Sequence, residues 1–183
     1  MKKITKNNFE EFLKWDEIEE VHFLKIDFSF KDFSNKNFVN CVFEKCNLSN
    51  INIKKTTLNH VNFINSKLMW IKFNEIKTLF SHFNFIECDI NLCYFNWLNL
   101  KNTNFEKSKV LESEFYGTTL ESVNFSFCDL KGSIFEKTNL KKANFIWAIN
   151  YIINPNMNFF YKTKFSKDDI IWLLNNLDII IEK

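Results

Sequence analysis

The sequence predicts an all-β solenoid, a chain wound so that it turns a corner every five residues. Three observations predict it. First, from Val21 the chain cuts into quintets, from VHFLK and IDFSF to IKFNE at Glu75, and again from FNFIE at Phe83 to ANFIW at Trp147. The third residue is apolar in all 24; with 46% apolar residues overall, chance would give that on the order of once in 10^8 trials. Second, the first residue is small, β-branched or Cys in most quintets (Val61, Ser66, Thr103, Ser113, Ala143), and the second is often Asn or Asp. Third, from Phe95 the centres alternate Phe with an aliphatic: Phe95, Leu100, Phe105, Val110, Phe115, Leu120 and onward to Phe145.

A period of five fits neither a helix nor a flat strand. It fits a coil in which the first and third residues point inward and the other three face solvent. Successive coils then hydrogen-bond at sheet spacing. That alternation repeats every ten residues, so Phe95, Phe115 and Phe135 are equivalent in it.

Composition narrows the function. The 183 residues include 24 Lys but no Arg and no Gln, with 23 Phe, 2 Gly and 1 Pro. Two glycines exclude a Gly-rich phosphate loop and the dinucleotide fingerprint. Without Arg there is no guanidinium grip on phosphate or guanine, and a net charge of +2 is not that of a nucleic-acid binder. Direct nucleic-acid binding is not expected. The basic N-terminus has no apolar run behind it, and no window has the length to span a bilayer, so a cytoplasmic protein with free thiols is expected.

The quintets with their small, Asn/Asp, Leu/Phe pattern resemble the pentapeptide-repeat proteins over residues 21 to about 152. The resemblance implies a right-handed quadrilateral β-helix with four quintets per coil. About seven coils would make a rod of roughly 30–35 Å. Three regions are expected: an N-terminal capping helix within 1–20, the β-helix over 21–152, and a C-terminal cap and dimerisation segment over 153–183. One register break, Ile76 to His82, holds one quintet plus two residues and predicts an outward bulge. Lys31 and Lys36 occupy inward first positions, which suggests splayed early coils.

Residues 5–15 read as helical, with Phe9, Phe12 and Leu13 on one face. In the tail, Ser166 is placed to cap a helix whose Ile170, Leu173, Leu174 and Leu177 cover the last coil. A final strand would follow. Ile171, Trp172, Ile179, Ile180 and Ile181 are then left facing water, which points to a C-terminal homodimer. Phe127 and Trp147, twenty apart on one outer face, would join that interface.

The tail is similar to that of the quinolone-resistance (Qnr-type) branch, on Tyr151, Ile153, Pro155, Asn158, Phe165, Ser166, Leu173 and Leu174. That resemblance implies dimeric rods that bind DNA gyrase or topoisomerase IV and relieve quinolone or toxin inhibition. The long loops of some members of that branch are missing here, and the net charge argues against imitation of DNA.

Candidate chemistry reduces mostly to core. Cys41, Cys46, Cys88, Cys93 and Cys128 are all first residues of quintets, so their spacing is that of interior positions rather than of metal ligands. His22, His60 and His82 complete no triad. No catalytic residue, metal or cofactor is expected. The surface residues that stand out as partner-binding are Trp70, Ile76, Lys77 and His82 around the break, and Tyr94, Trp97 and Tyr116 as an aromatic patch. The reading is a non-enzymatic dimeric rod that protects a type II topoisomerase. The alternative is a protein-interaction scaffold or toxin-immunity factor with another partner.

Overall fold

The computed structural model describes residues 1–5, 9–168, 170 and 173. It is a right-handed, four-sided parallel β-solenoid of about eight coils. Pairs lie twenty residues apart: His22 pairs with Val42, Asn37 with Thr57, Lys109 with Asp129, and Asn124 with Asn144. The core is one column of third-position side chains. Phe23, Phe43, Phe63, Phe85, Phe105, Phe125 and Phe145 line one wall and stack at centroid separations of 4.8 to 5.3 Å. Phe73, Phe95, Phe115 and Phe135 line the opposite wall at 4.8 to 4.9 Å. Leu, Ile and Val110 fill the two walls between, with Phe28 and Phe38 there in the early coils.

The fifth residue makes the corner. Among the described residues twenty-five other than glycine adopt positive φ, nearly all of them fifth residues such as Lys45, Asn102 and Trp147. At many corners the centre's carbonyl accepts from the amide three residues on, as in Lys31 N–H to Phe28 O at 3.0 Å, the geometry of a type II turn. The second-position Asn and Asp serve this turn. Asp27 Oδ1 accepts from the Ser29 amide at 2.9 Å, and Asn104, Asn124 and Asp129 repeat the contact at 3.0 to 3.2 Å. On one face Asn62, Asn84, Asn104, Asn124 and Asn144 also bond one to the next, side chain to side chain or to backbone.

First positions close the interior. Thr56, Ser66 and Ser133 donate to carbonyls of the coil before, Phe33, Phe43 and Val110, at 2.6 to 2.9 Å. Cys41, Cys46, Cys88, Cys93 and Cys128 do the same with their thiols. All five are buried. Burial pushes Cys41 and Cys46 up to about 11 and Cys88, Cys93 and Cys128 up to about 12. They are structural thiols, unsuited to nucleophilic work.

The ends differ from the sequence expectation. The solenoid starts at residue 2: strand Lys2–Ile4 pairs with Val21–Leu24, and Glu17–Glu19 pairs with Asn37–Val39. Helical geometry covers Phe9–Phe12, one turn that lays Phe9 on Phe28 and Phe12 on Phe23 over the open core. The early coils are not splayed. Lys36 is buried, and its ammonium donates to Trp15 O at 2.9 Å, while Lys31 reaches Glu10 at 3.3 Å. Both lysines run up into the cap, burying their stems and keeping their charges partnered.

At the other end the coil runs past 152. Phe135 pairs with Ile153, and Asn144–Phe145 pairs with Lys164–Phe165. Tyr151 is fully buried against Phe145 and Phe165. Asn158 ties four groups: its amide donates to Phe135 O and Asn154 O, and its oxygen accepts from the Thr138 amide and hydroxyl. Ser166 Oγ accepts from the Trp147 amide at 2.7 Å, so it finishes the last coil as well as leading into the tail. Leu173 packs against the core, whereas Ile170 stays outside in the preceding turn. Leu174, Leu177, Ile171, Trp172, Ile179, Ile180 and Ile181 lie outside the described residues, and so does the expected final strand.

Candidate interaction surfaces

The slip in the coil register near Lys77 makes the most distinctive surface. Below it the pairing offset is twenty, as in Phe43 with Phe63; across it the offset is twenty-two, as in Phe63 with Phe85. The shift falls between Asn59 and Val61 on the paired strand Thr57–Ile64. The quintet that cannot keep phase turns its apolar residues outward: Leu79 is 71% and Phe80 68% exposed. Phe83, a large residue at a small position, turns inward instead and stacks on Phe73 at 5.5 Å.

The resulting knob is ordered by its own hydrogen bonds. The Lys77 amide donates to Thr56 O at 2.8 Å and the Ser81 amide to Thr78 O at 3.2 Å. Ser81 Oγ donates to Lys77 O and accepts from the Leu58 amide. Two hollows flank it. One, about 550 Å³, is lined by Asn37, Thr57, Asn59, Lys77, Leu79 and Phe80. The other, about 350 Å³, includes His60, His82, Asn99 and Lys101. The His60 and His82 rings stack there at 5.6 Å.

Of the residues singled out in the sequence, Lys77 and His82 are exposed at this knob. Ile76 is not available: it is 7% exposed, because as a first residue it points into the core. Trp70 is half exposed on another corner, the one that also carries Phe30. The sequence reading missed Leu79 and Phe80. Their signal was two large apolar residues in a stretch that cannot hold the five-residue phase.

The aromatic patch is partly assembled. Trp97 and Tyr116 meet edge to face at 5.1 Å. Tyr94 stands in a separate row between Lys72 and Glu114 and makes no ring contact with either. Lys137 lies 5.0 Å over the Tyr116 ring, and its bond to the Tyr116 hydroxyl holds its pKa above the usual value.

A third surface girdles the C-terminal coils. Phe127 and Trp147 share a corner and are both about half exposed, and Ile149, Ile152, Phe159 and Tyr161 are exposed around the same end. Among the described residues no group of three or more His, Cys, Asp or Glu could hold a metal. Nor is any described helix long and apolar enough to cross a membrane.

A family model for pentapeptide repeats matches residues 26–74 and 120–149, in eight copies. The unmatched stretch between holds the register slip, and the coil continues through it, at an offset of twenty-two across the slip and twenty beyond it. Over the matched stretches the chain is built of pentapeptide repeats. Among solved pentapeptide-repeat and related structures, a trypsin-treated variant of QnrB1, a plasmid-mediated fluoroquinolone resistance protein, superposes at a TM-score of 0.63. The two are 14% identical, and the match covers 91% of this chain and 90% of that one. At that identity the likeness is one of fold. HetL, a pentapeptide repeat protein involved in heterocyst differentiation regulation in the cyanobacterium Nostoc, matches at a TM-score of 0.39. It is 13% identical, with 80% of this chain and 84% of that one covered. No curated protein matches the chain.

Proposed function

We propose that this pentapeptide-repeat protein is a non-enzymatic binding rod whose partner is a type II topoisomerase, DNA gyrase or topoisomerase IV, and that it protects that enzyme from quinolones or toxins. The observation that carries the proposal is the ordered Leu79–Phe80 knob on the side of the rod. Two large apolar side chains held out in water by a closed hydrogen-bonded turn have the form of a binding hot spot. The likeness in fold to QnrB1 supports the choice of partner. With a net charge of +2, the rod would act through shape and apolar contact rather than by presenting a phosphate-like field.

The rod is further proposed to pair with a second copy through its C-terminal end. Phe127 and Trp147 would contribute, as would Ile171, Trp172, Ile179, Ile180 and Ile181. Exposed Ile149, Ile152 and Phe159 support this, since together they make that end more apolar than a free rod needs. Sedimentation of the wild type against Trp147→Glu tests it, with a monomeric wild type as the refuting result.

The functional test is gyrase supercoiling in the presence of a quinolone, titrated with the purified protein. Restored supercoiling that is lost in Leu79→Asp/Phe80→Asp, with the variant still folded, is the expected result. No rescue by the wild type would leave the second reading, an interaction scaffold or immunity factor with another partner. The Trp97–Tyr116 contact favours that reading.

A further inference from the structure

Glycine stands at only two corners, Gly117 and Gly132, although Lys, Asn, Glu, Phe and Trp adopt the same positive φ at the others. Backbone conformation therefore does not demand glycine at 117. Trp97, on the preceding coil, does. A Cβ at Gly117 would fall 2.4 and 2.5 Å from two carbons of the Trp97 ring. The indole lies across the bare backbone of Gly117. That backbone is pinned by Trp97 N–H to Tyr116 O at 2.9 Å and Gly117 N–H to Glu136 O at 2.8 Å. The Tyr116 ring stands against the indole at an interplanar angle of 76°. Trp97 is nonetheless 70% exposed. It is a large aromatic surface facing water, already held in one position, so little side-chain freedom remains to be lost on binding.

We propose that Trp97 is a seated platform on which an arginine guanidinium of a partner protein stacks, with Glu114 as its counter-charge. Glu114 is held beside the platform by Asn96, whose amide donates to Glu114 Oε2 at 2.9 Å and whose oxygen accepts from the Tyr116 amide at 2.8 Å. Among the described residues Glu114 forms no ion pair, so its charge is available. Lys137, the nearby opposing charge, is engaged over Tyr116. That contact shows the patch taking a cation from within the chain, while no described cation lies over Trp97. The chain contains no arginine, so the guanidinium must come from another molecule. Arginine suits the site better than lysine because its planar group can stack on the indole and offer a fork of donors to a carboxylate. The proposal does not depend on the partner being a topoisomerase.

The test is a titration of the full chain with N-acetyl-arginine amide, read on the indole N–H resonance of Trp97, with N-acetyl-lysine amide as the matched cation. The expected result is a saturable shift at Trp97, with arginine binding at least about threefold tighter than lysine. Trp97→Ala should abolish the arginine-specific response. Gly117→Ala should displace the ring and weaken binding by at least about fivefold while the Trp70 and Trp147 resonances stay in place. Should that variant fail to fold, Glu114→Gln replaces it, with a loss of at least about twofold expected. Equal binding of the two cations, or undiminished arginine binding in folded Gly117→Ala or Glu114→Gln, overturns the proposal.

Discussion

Replacing Phe115 by alanine should cost this rod more than any surface change. The ring is fully buried, stacks at 4.9 Å on both Phe95 and Phe135, and meets Phe105 and Phe125 edge-on at 6.1 and 5.9 Å. Truncation forfeits the transfer free energy of the ring and leaves a void. The void cannot close by collapse, because backbone bonds to the next coil, such as Phe115 N–H to Ile134 O at 3.0 Å, hold the coil spacing. A loss of about 3–5 kcal/mol follows. At ~2–4 °C per kcal/mol for a chain of this size, the melting midpoint should fall by about 6–20 °C. Calorimetry and urea unfolding of Phe115→Ala measure it. Phe30→Ala, at a corner 79% exposed, is the control and should change stability by no more than about 0.5 kcal/mol. A Phe115→Ala loss below about 1 kcal/mol, or one equal to that of Phe30→Ala, would refute the claim that stacked centres carry the fold.

The remaining predictions concern thiols, caps and the tail. All five cysteines should be inert to Ellman's reagent at pH 8 in the folded protein and react once it is unfolded. Their folded pKa values are raised to about 11 or 12, so above pH 9 the unfolded chain releases protons that the folded chain keeps, and stability falls as pH rises. Each thiol adds up to ~1.4 kcal/mol per pH unit to that slope, and Cys128→Ala should remove one thiol's share. Asn158→Ala leaves the Thr138 amide and hydroxyl without their acceptor and should cost about 1–3 kcal/mol in urea unfolding. Lys36→Ala removes the tie to Trp15 O and should expose the first coils to protease before the rest of the rod.

The sequence made the middle of this molecule legible and its margins less so. Every inward centre from Phe23 to Phe73 and from Phe85 to Phe145 is read by phase alone, because a period of five leaves no other way to bury them all. The first coil was hidden. Ile4 and Ile18 are single apolar residues among charges, and the charged Asp16 stands where the pattern wants a small residue. Phe9 and Phe12, at helical spacing, predict a helix over 5–15, whereas among the described residues helical geometry covers Phe9–Phe12. The tail was obscured by a local shift: Ile153 pairs eighteen residues from Phe135, and the one-turn helix Pro155–Met157 restores the offset of twenty at Phe159. Ile76 was misread as surface because it opens the irregular stretch, yet the irregularity begins only after it. The seat of Trp97 on Gly117 was invisible, since phase says which residues face out but not how a ring lies once there.

The slip near Lys77 also has a consequence for how such a rod can change length locally. Above it, the offset returns to twenty, with Phe85 over Phe105 and Asn84 beside Asn104, as though nothing had been added. Two surplus residues are absorbed within one edge of the square, and no later coil inherits the error. The site therefore behaves as a splice point. Further residues inserted between Lys77 and Phe83 would enlarge the protrusion while every pair on either side kept its partner, so the rod can acquire a new recognition element at this edge without being rebuilt.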